Sequence, residues 1–173
     1  LNESNKTIFL NLQSLFKLLP QDDHIYLDII KNNPNSCFWF IESRRNLITS
    51  SFKNRIARLF RKHGYSFEKC SYFHPKCSQE EFFGLIAESD IILDSINWSG
   101  GNTSLEAISL NKPIVTFPSD FMRGRHTYGI LKLIETEETI ASSKKQYVEI
   151  AVKLANDINF RNLVVNKIKK NKN

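Results

Sequence analysis

A glycine-rich stretch near the middle of the chain carries the residue types best suited to binding a ligand. An apolar run over residues 90–94 leads into it, and a helical pattern over residues 105–110 leads out. Such a turn brings unpaired N–H groups and the positive end of a helix dipole together, which favours a phosphate. The pattern also fits a plain strand-to-helix turn. Its centre combines glycines that permit close approach with residues able to cap the helix or to donate side-chain hydrogen bonds: Gly100, Gly101, Asn102, Thr103 and Ser104.

Polar side chains also follow the first two apolar runs of the chain. Lys17 comes shortly after the run at residues 7–12, where its ammonium group could reach a diphosphate or simply lie on the surface. Gln13 could hydrogen-bond a base or a phosphate, or could satisfy loop backbone. Arg44 and Arg45 fit either surface charge or the rim of a pocket.

Three charged side chains follow the glycine stretch. Glu106 would lie about one turn into the helix, where its carboxylate could accept two hydrogen bonds from a ribose or could offset the helix dipole. Arg123 and Arg125 flank Gly124 after the fifth apolar run. Two guanidinium groups beside a glycine suit an anionic ligand, and they equally suit a solvated turn before a helix.

Other ionisable residues give weaker indications of chemistry. His126 could act as a general base and His74 lies at a strand end, but a single histidine without a partner is more often structural. Asp90 and Asp94 bracket one predicted strand and are too far apart for an acid–base pair. Asp94 is therefore interpreted as the residue that organises the loop after the strand.

The spacing of apolar residues predicts an α/β fold. Strands alternate with helices without tandem strands, which predicts a Rossmann-like parallel sheet with helices on both faces. Ligands bind such sheets beyond the carboxyl ends of the strands, so the candidate side chains should converge at one edge and favour a nucleotide. The glycine pattern is neither GxGxxG after the first strand nor a P-loop, which disfavours NAD binding and P-loop hydrolysis. Strands are predicted over residues 7–12, 36–41, 67–73, 89–94 and 113–117.

Length and composition predict a single domain over residues 1–173, with a C-terminal helix and basic tail at 160–173 whose last seven residues are solvated. The 173 residues are 41% apolar, include 13 Phe and carry a formal charge of +6. The basic residues are scattered, which argues against a nucleic-acid partner. No run approaches a membrane span, and three cysteines without zinc spacing indicate a reducing cytoplasm. The chain starts at Leu1 rather than Met, which suggests the last domain of a longer protein.

Several motifs together make the chain similar to a known family. It resembles the C-terminal half of the catalytic region of O-linked N-acetylglucosamine transferases, and more closely the bacterial SPINDLY-type relatives attached to tetratricopeptide repeats. The resemblance implies the C-terminal domain of a GT-B fold, which holds a nucleotide-sugar donor. The motifs that carry it are residues 13–17, 34–36, 99–107, 113–118 and 121–125.

The resemblance also implies roles for individual residues. Gln13 matches a contact on the uracil side, and Lys17 matches a diphosphate contact, which makes Lys17 the catalytic candidate. Glu106 matches the acidic residue at the ribose. The other implied donor-site residues are the loop at the diphosphate and an arginine after the fifth strand: Gly100, Gly101, Asn102, Thr103, Ser104 and Arg125. The animal enzymes have a lysine and a histidine at the positions of Gln79 and Phe82, and a histidine at the position of Asn102. Stacking of the base and part of the charge balance at the phosphates should therefore differ in this chain.

These observations predict the donor-binding domain of a glycosyltransferase that uses UDP-N-acetylglucosamine and modifies a protein or related acceptor. We expect no cofactor and no metal, because the helix dipole, Lys17 and an arginine would stabilise the leaving diphosphate. The acceptor site would come from an N-terminal GT-B half and repeats, so the isolated chain should bind nucleotide and transfer nothing. Two alternatives remain: a non-catalytic nucleotide-binding or assembly module, and a nucleotide-sugar epimerase-like enzyme.

Overall fold

A five-stranded, all-parallel sheet forms the centre of the part of the chain described by the computed structural model, residues 6–172. Leu1, on which the expectation of a longer protein rests, and Asn173 lie outside the described residues. The strand order is β3-β2-β1-β4-β5, so all carboxyl ends lie along the same edge. The strands are β1 (Thr7–Leu10), β2 (Ser36–Ile41), β3 (Ser71–His74), β4 (Ile91–Leu93) and β5 (Ile114–Val115).

Helices connect successive strands and cover both faces of the sheet, which confirms the predicted Rossmann-like α/β class. Phe9 and Leu10 are adjacent on β1, point to opposite faces and are both fully buried. Within residues 6–172, no helix is both long and apolar enough to cross a membrane. The helices are α1 (His24–Asn32), α2 (Asn46–Lys62), α3 (Gln79–Glu88), α4 (Asn102–Ser109), α5 (His126–Leu133), α6 (Lys144–Asn156) and α7 (Ile158–Asn171).

An aromatic cluster fills the core beside β2. The Phe40 ring lies 5.1 Å from that of Phe52 on α2 and 5.0 Å from that of Phe73 on β3. The Tyr26 ring on α1 meets Phe38 edge-on at 5.2 Å. Aromatic pairs at these separations add to the burial of apolar surface. The many phenylalanines therefore serve packing, and they fix β2 against the helices.

Local signals in the sequence predict several element ends correctly. Ser78 and Glu81 form the predicted capping box at the start of α3, with the Ser78 N–H donating to Glu81 at 2.7 Å. Gly64 follows α2 with a φ of +80°, as a glycine after a helix end should. The third strand, predicted from residue 67, begins at Ser71 because Phe67 is buried in a turn closed by the Cys70 N–H at 3.1 Å.

The basic C-terminal end is packed, so the prediction of a solvated tail is wrong. Helix α7 continues to Asn171, and Ile168 within it is fully buried. Lys167 forms an ion pair with Glu138, and Arg161 forms one with Asp90 at 2.8 Å between Nη1 and Oδ1. Over residues 167–172 the sequence has four lysines and one apolar residue, Ile168, which is the position that α7 buries there.

The strand order places a topological switch at the middle of the sheet. β1 pairs with β2 on one side and with β4 on the other. The connections that leave β1 and β4 therefore run to opposite sides, which opens a crevice at their carboxyl ends. The loop with Gln13 and Lys17 and the glycine stretch are the two segments that follow these strands.

Candidate functional site

The glycine turn, which we define as residues 97–101, enters α4 without a side-chain cap. The N-cap position is Gly101, and its carbonyl accepts from the N–H groups of Ser104 and Leu105 at 3.1 and 3.2 Å. Of the two roles expected of Asn102, Thr103 and Ser104, capping the helix or making side-chain hydrogen bonds, the structure excludes the cap. A helix start without a side-chain cap keeps its N–H groups available to an anionic ligand.

Gln13 links the loop after β1 to the first turn of α4. Its Nε2 donates to Thr103 Oγ1 at 3.0 Å, and its Oε1 accepts from Lys17 Nζ at 3.1 Å. The Gln13 side chain is buried, and Asn11 Oδ1 accepts from the Gln13 N–H at 3.0 Å. The amide that the resemblance assigns to the uracil side is thus engaged at both ends by protein groups. In the structure, the Gln13 side chain holds Lys17 near the start of α4.

Gly100 lies where no larger residue fits. A Cβ at this position would lie 2.4 Å from Ser104 Oγ and 2.7 Å from Thr103 Oγ1. It would also lie 3.0 Å from Gln13 Nε2. At Gly101, by contrast, a Cβ would meet nothing within 4 Å. The close approach of the turn to α4 and Gln13 therefore requires glycine at position 100 and not at position 101.

A buried network of polar side chains centred on Asp94 forms hydrogen bonds with the glycine turn. Asp94 Oδ1 accepts from the Gly100 N–H at 2.8 Å, and Asp94 Oδ2 accepts from Ser99 Oγ and Thr116 Oγ1, both at 2.7 Å. The hydroxyl of Thr127, the second residue of α5, lies 2.7 Å from Ser104 Oγ and 2.8 Å from Ser99 Oγ. The interpretation of Asp94 as a loop organiser is confirmed.

Burial shifts the ionisation of two groups at this site. It raises the pKa of Asp94, although hydrogen bonds from the Gly100 N–H and the Ser99 and Thr116 hydroxyls favour its charged form. It lowers the pKa of Lys17, and the negative charge of Asp94 acts in the opposite direction. The carboxylate of Asp94 and the ammonium of Lys17 thus influence each other beneath the turn.

Trp98 brings two cations together at the glycine turn. Lys17 Nζ lies 5.3 Å from the centroid of the Trp98 ring, and Arg123 Cζ lies 5.7 Å from it. Arg125 makes other contacts: its Nη1 donates to the Ser119 carbonyl at 3.0 Å, and its Cζ lies 4.7 Å from the Tyr128 ring. Of the two predicted arginines, Arg123 is therefore the one beside Trp98.

The remaining candidates take different places. Glu106 is half-buried on the second turn of α4. His126 is exposed at the start of α5. The His74 ring lies 4.6 Å from the rings of Trp39 and Tyr72, and burial lowers its pKa. The structure thus brings Gln13, Lys17 and the glycine turn together and keeps both histidines outside that group.

An open cavity of about 660 Å³ extends from Gln13 along the carboxyl ends of β1 and β2. Arg44, Arg45 and Phe82 contribute to its wall. A second groove of about 690 Å³ lies between α1 and α6, with Ile25 and Val148 in its lining. The first cavity is the candidate ligand site, because Gln13 in its lining contacts Thr103 at the start of α4 and because it lies at the edge where parallel sheets bind ligands.

Two residues of the network could not be found from the sequence. Thr127 resembles an ordinary residue at a helix start, and Tyr147 resembles one of several apolar positions on α6. In the structure, Tyr147 Oη donates to the Asp94 carbonyl at 2.8 Å across 53 residues. Residues this far apart in the sequence form no local pattern from which their hydrogen bond could be predicted.

Comparison with known proteins agrees with this architecture. Over 96% of the chain, the structure matches the Thermobaculum terrenum O-GlcNAc transferase mutant with a TM-score of 0.85 and 20% identity, covering 31% of that chain. The C-terminal CMP-Kdo binding domain of WaaA from Acinetobacter baumannii matches with a TM-score of 0.64 and 16% identity, over 97% of this chain and 90% of that one. The fold is that of the GT-B glycosyltransferases.

The family follows from the sequence match. The model of glycosyl transferase family 41 matches residues 2–173, and the chain belongs to that family. A Caenorhabditis elegans UDP-N-acetylglucosamine--peptide N-acetylglucosaminyltransferase is 23% identical over 150 residues. That match covers 87% of this chain and 12% of the worm enzyme, so the chain spans a small part of its relative.

Proposed function

We propose that this chain is the donor-binding part of a glycosyltransferase that uses a UDP-sugar, UDP-N-acetylglucosamine in the first instance. The observation that carries the proposal is the connection from Lys17 through Gln13 to Thr103, at the start of α4 and beside Gly100. It places an ammonium group and a helix N-terminus at one point of the sheet edge. A diphosphate matches that arrangement of charge and N–H donors.

The chemistry assigned to this chain is stabilisation of the leaving group. In sugar transfer, an acceptor oxygen bonds to the anomeric carbon while the bond from that carbon to the diphosphate oxygen breaks, and its electron pair remains on UDP. Lys17, Arg123 and the start of α4 would meet the charge that develops there. Since these groups can supply the positive charge, we expect transfer without a divalent metal.

The nucleoside would occupy the cavity beside Gln13. The cavity is open, is about 660 Å³ in volume and has Phe82 in its wall, where a base could pack. Glu106 is half-buried on α4 and is the carboxylate we assign to the ribose hydroxyls. Arg44 and Arg45 line the same cavity and add positive charge.

The attacking side of the reaction is assigned to other parts of a longer protein. The matched relatives extend well beyond the region that this chain covers, and one of them is named as a peptide N-acetylglucosaminyltransferase. We therefore propose a protein or related acceptor, presented by an N-terminal GT-B half and by tetratricopeptide repeats of the SPINDLY type. The base that removes the acceptor proton would come from that half.

Nucleotide titration followed by NMR tests the proposal. UDP and UDP-N-acetylglucosamine should shift the amide signals of Lys17, Thr103 and Glu106. Lys17→Met should weaken UDP binding by about tenfold, since it removes one charge-assisted contact. Lys145→Met is the matched control, because the Lys145 side chain is 88% exposed on α6.

Two outcomes would contradict parts of the proposal. If UDP leaves all these signals unchanged, the chain is not a donor site. If the full-length protein binds UDP but keeps its cellular function with Lys17→Met, the chain is a non-catalytic binding module rather than part of an active transferase.

A further inference from the structure

We propose that Trp98 is a positioning residue that holds the Lys17 ammonium and the Arg123 guanidinium together at the glycine turn, so that both meet the diphosphate. This inference rests on the proposed function, because it deepens the account of the same site. It assigns to Trp98 a role that acts through the two cations.

The first observation is that the two cations lack carboxylate partners. Within residues 6–172, neither Lys17 nor Arg123 takes part in an ion pair, whereas other basic side chains do. The hydrogen bond described for Lys17 Nζ goes to a neutral amide, that of Gln13, at 3.1 Å. Two like charges that approach the same turn repel each other, and the Asp94 carboxylate attracts Lys17 without forming an ion pair with it, so a contact with an aromatic ring would add to what holds the two cations there.

The second observation is the ring that both cations contact. Lys17 Nζ lies 5.3 Å and Arg123 Cζ lies 5.7 Å from the Trp98 ring centroid, within the range of a cation–π interaction. Phe121 contacts the same guanidinium, with its ring centroid 4.5 Å from Arg123 Cζ. An aromatic ring attracts a cation without neutralising it, so both charges stay available to an anion.

The third observation is that the backbone fixes Trp98 independently of its ring. Ser95 Oγ donates to the Trp98 carbonyl at 2.5 Å, and the Ser99 N–H donates to the Arg123 carbonyl at 2.8 Å. The Trp98 side chain is 45% exposed, so the core does not depend on it. A change of the ring should therefore alter the position of the two cations more than it alters the fold.

A comparison of UDP with uridine on the 173-residue chain tests the inference. Trp98→Leu keeps apolar bulk and removes the aromatic face, and it should weaken UDP binding by about tenfold while leaving uridine binding unchanged. Trp98→Phe should restore part of the loss, because a smaller ring still attracts cations. Tyr65→Leu is the control, since Tyr65 is a 37% exposed aromatic residue away from the glycine turn.

A double-mutant cycle separates positioning from direct contact with the ligand. In an Arg123→Met background, Trp98→Leu should cost less UDP affinity than it does in the parent chain, because one of the two held cations is already absent. Equal loss of UDP and uridine binding would mean that Trp98 contacts the nucleoside, and wild-type UDP affinity in Trp98→Leu would overturn the inference alone. Failure of the parent chain to bind UDP would instead overturn the proposed function and this inference with it.

Discussion

Asp94 is a residue of the site whose ionisation depends on its surroundings. Its side chain is buried and accepts three hydrogen bonds, from the Gly100 N–H and the hydroxyls of Ser99 and Thr116. Within residues 6–172 it has no ion-pair partner, and burial raises its pKa. The carboxylate thus fixes the turn by hydrogen bonding, at the electrostatic cost of a buried negative charge.

Replacement of Asp94 by asparagine should flatten the pH dependence of stability. Because the folded-state pKa is raised, the native state binds a proton more readily than the unfolded chain, so the free energy of unfolding falls as pH rises from about 4 through the folded pKa. Asp94→Asn keeps an oxygen for the Gly100 N–H and removes this dependence. Urea unfolding between pH 4 and 8 measures it.

The matching control removes the hydrogen-bond acceptor as well as the charge. Relative to Asp94→Asn, which also lacks the titrating carboxyl, Asp94→Ala should lower the free energy of unfolding by about 1–3 kcal/mol at every pH, because the Gly100 N–H loses its partner. If Asp94→Asn kept the slope of the parent chain, the raised pKa would belong to another group.

At the residue scale, sequence reasoning succeeds where a partner is near in the chain. Asp94 could be recognised as a loop organiser because Gly100, to which it bonds, follows six residues later. Thr127 bonds Ser99 across 28 residues, and no local pattern marks it. The pairing of Trp98 with Lys17 and Arg123 is missed for the same reason, although all three residue types are visible in the sequence.

At the scale of elements, the glycine turn and α4 form one unit with the loop after β1. The sequence predicts the strand, the turn and the helix, because apolar runs and glycines are local signals. It leaves open whether Asn102, Thr103 or Ser104 caps α4 or makes other side-chain hydrogen bonds, and in the structure Thr103 bonds Gln13 while Ser104 lies against Thr127. The hydroxyl groups of Thr103 and Ser104 bond to residues that are distant in the sequence, so they do not cap the helix.

Alanine at the two glycines of the turn should have unequal effects. Gly100→Ala places a Cβ 2.4 Å from Ser104 Oγ and should lower the free energy of unfolding by about 1–3 kcal/mol, with weaker UDP binding. Gly101→Ala meets nothing within 4 Å and should change neither measurement appreciably. Thermal unfolding and calorimetric UDP titration of both variants provide the comparison, and equal effects would contradict the packing argument.

The last helix offers a second test at this scale. Ile168 is fully buried on α7, so Ile168→Ala should lower the free energy of unfolding by about 2–4 kcal/mol. Leu163→Ala on the same helix is the control, because Leu163 is 50% exposed and its loss should cost much less. Chemical denaturation of the two variants measures the difference, and similar stabilities would mean that the basic end is solvated after all.

At the scale of the whole molecule, the proposed chemistry depends on positive charge at the carboxyl edge of the sheet. The chain carries a formal charge of +6, and Lys17 and Arg123 lie at the carboxyl edge without carboxylate partners among residues 6–172. The comparison with solved structures establishes the GT-B fold, which the family resemblance implies, whereas the alternation of strands and helices predicts only its Rossmann-like sheet.

Metal independence is the prediction that belongs to this scale. If side chains and the start of α4 supply the charge that the leaving diphosphate needs, the full-length protein should keep its transferase activity in excess chelator. Release of UDP in the presence and absence of EDTA measures this. Complete loss of activity with EDTA, and its return with a divalent cation, would assign the role to a metal.

The central switch between β1 and β4 has a consequence for synthesis of the protein. The hydrogen bond from Gln13 to Thr103 joins residues 90 positions apart, and the two strands that position them are neighbours in space only. A growing chain therefore cannot form the proposed donor site until α4 has left the ribosome and β4 has docked onto β1. Capture of nucleotide by this chain would thus report that its long-range pairing is complete.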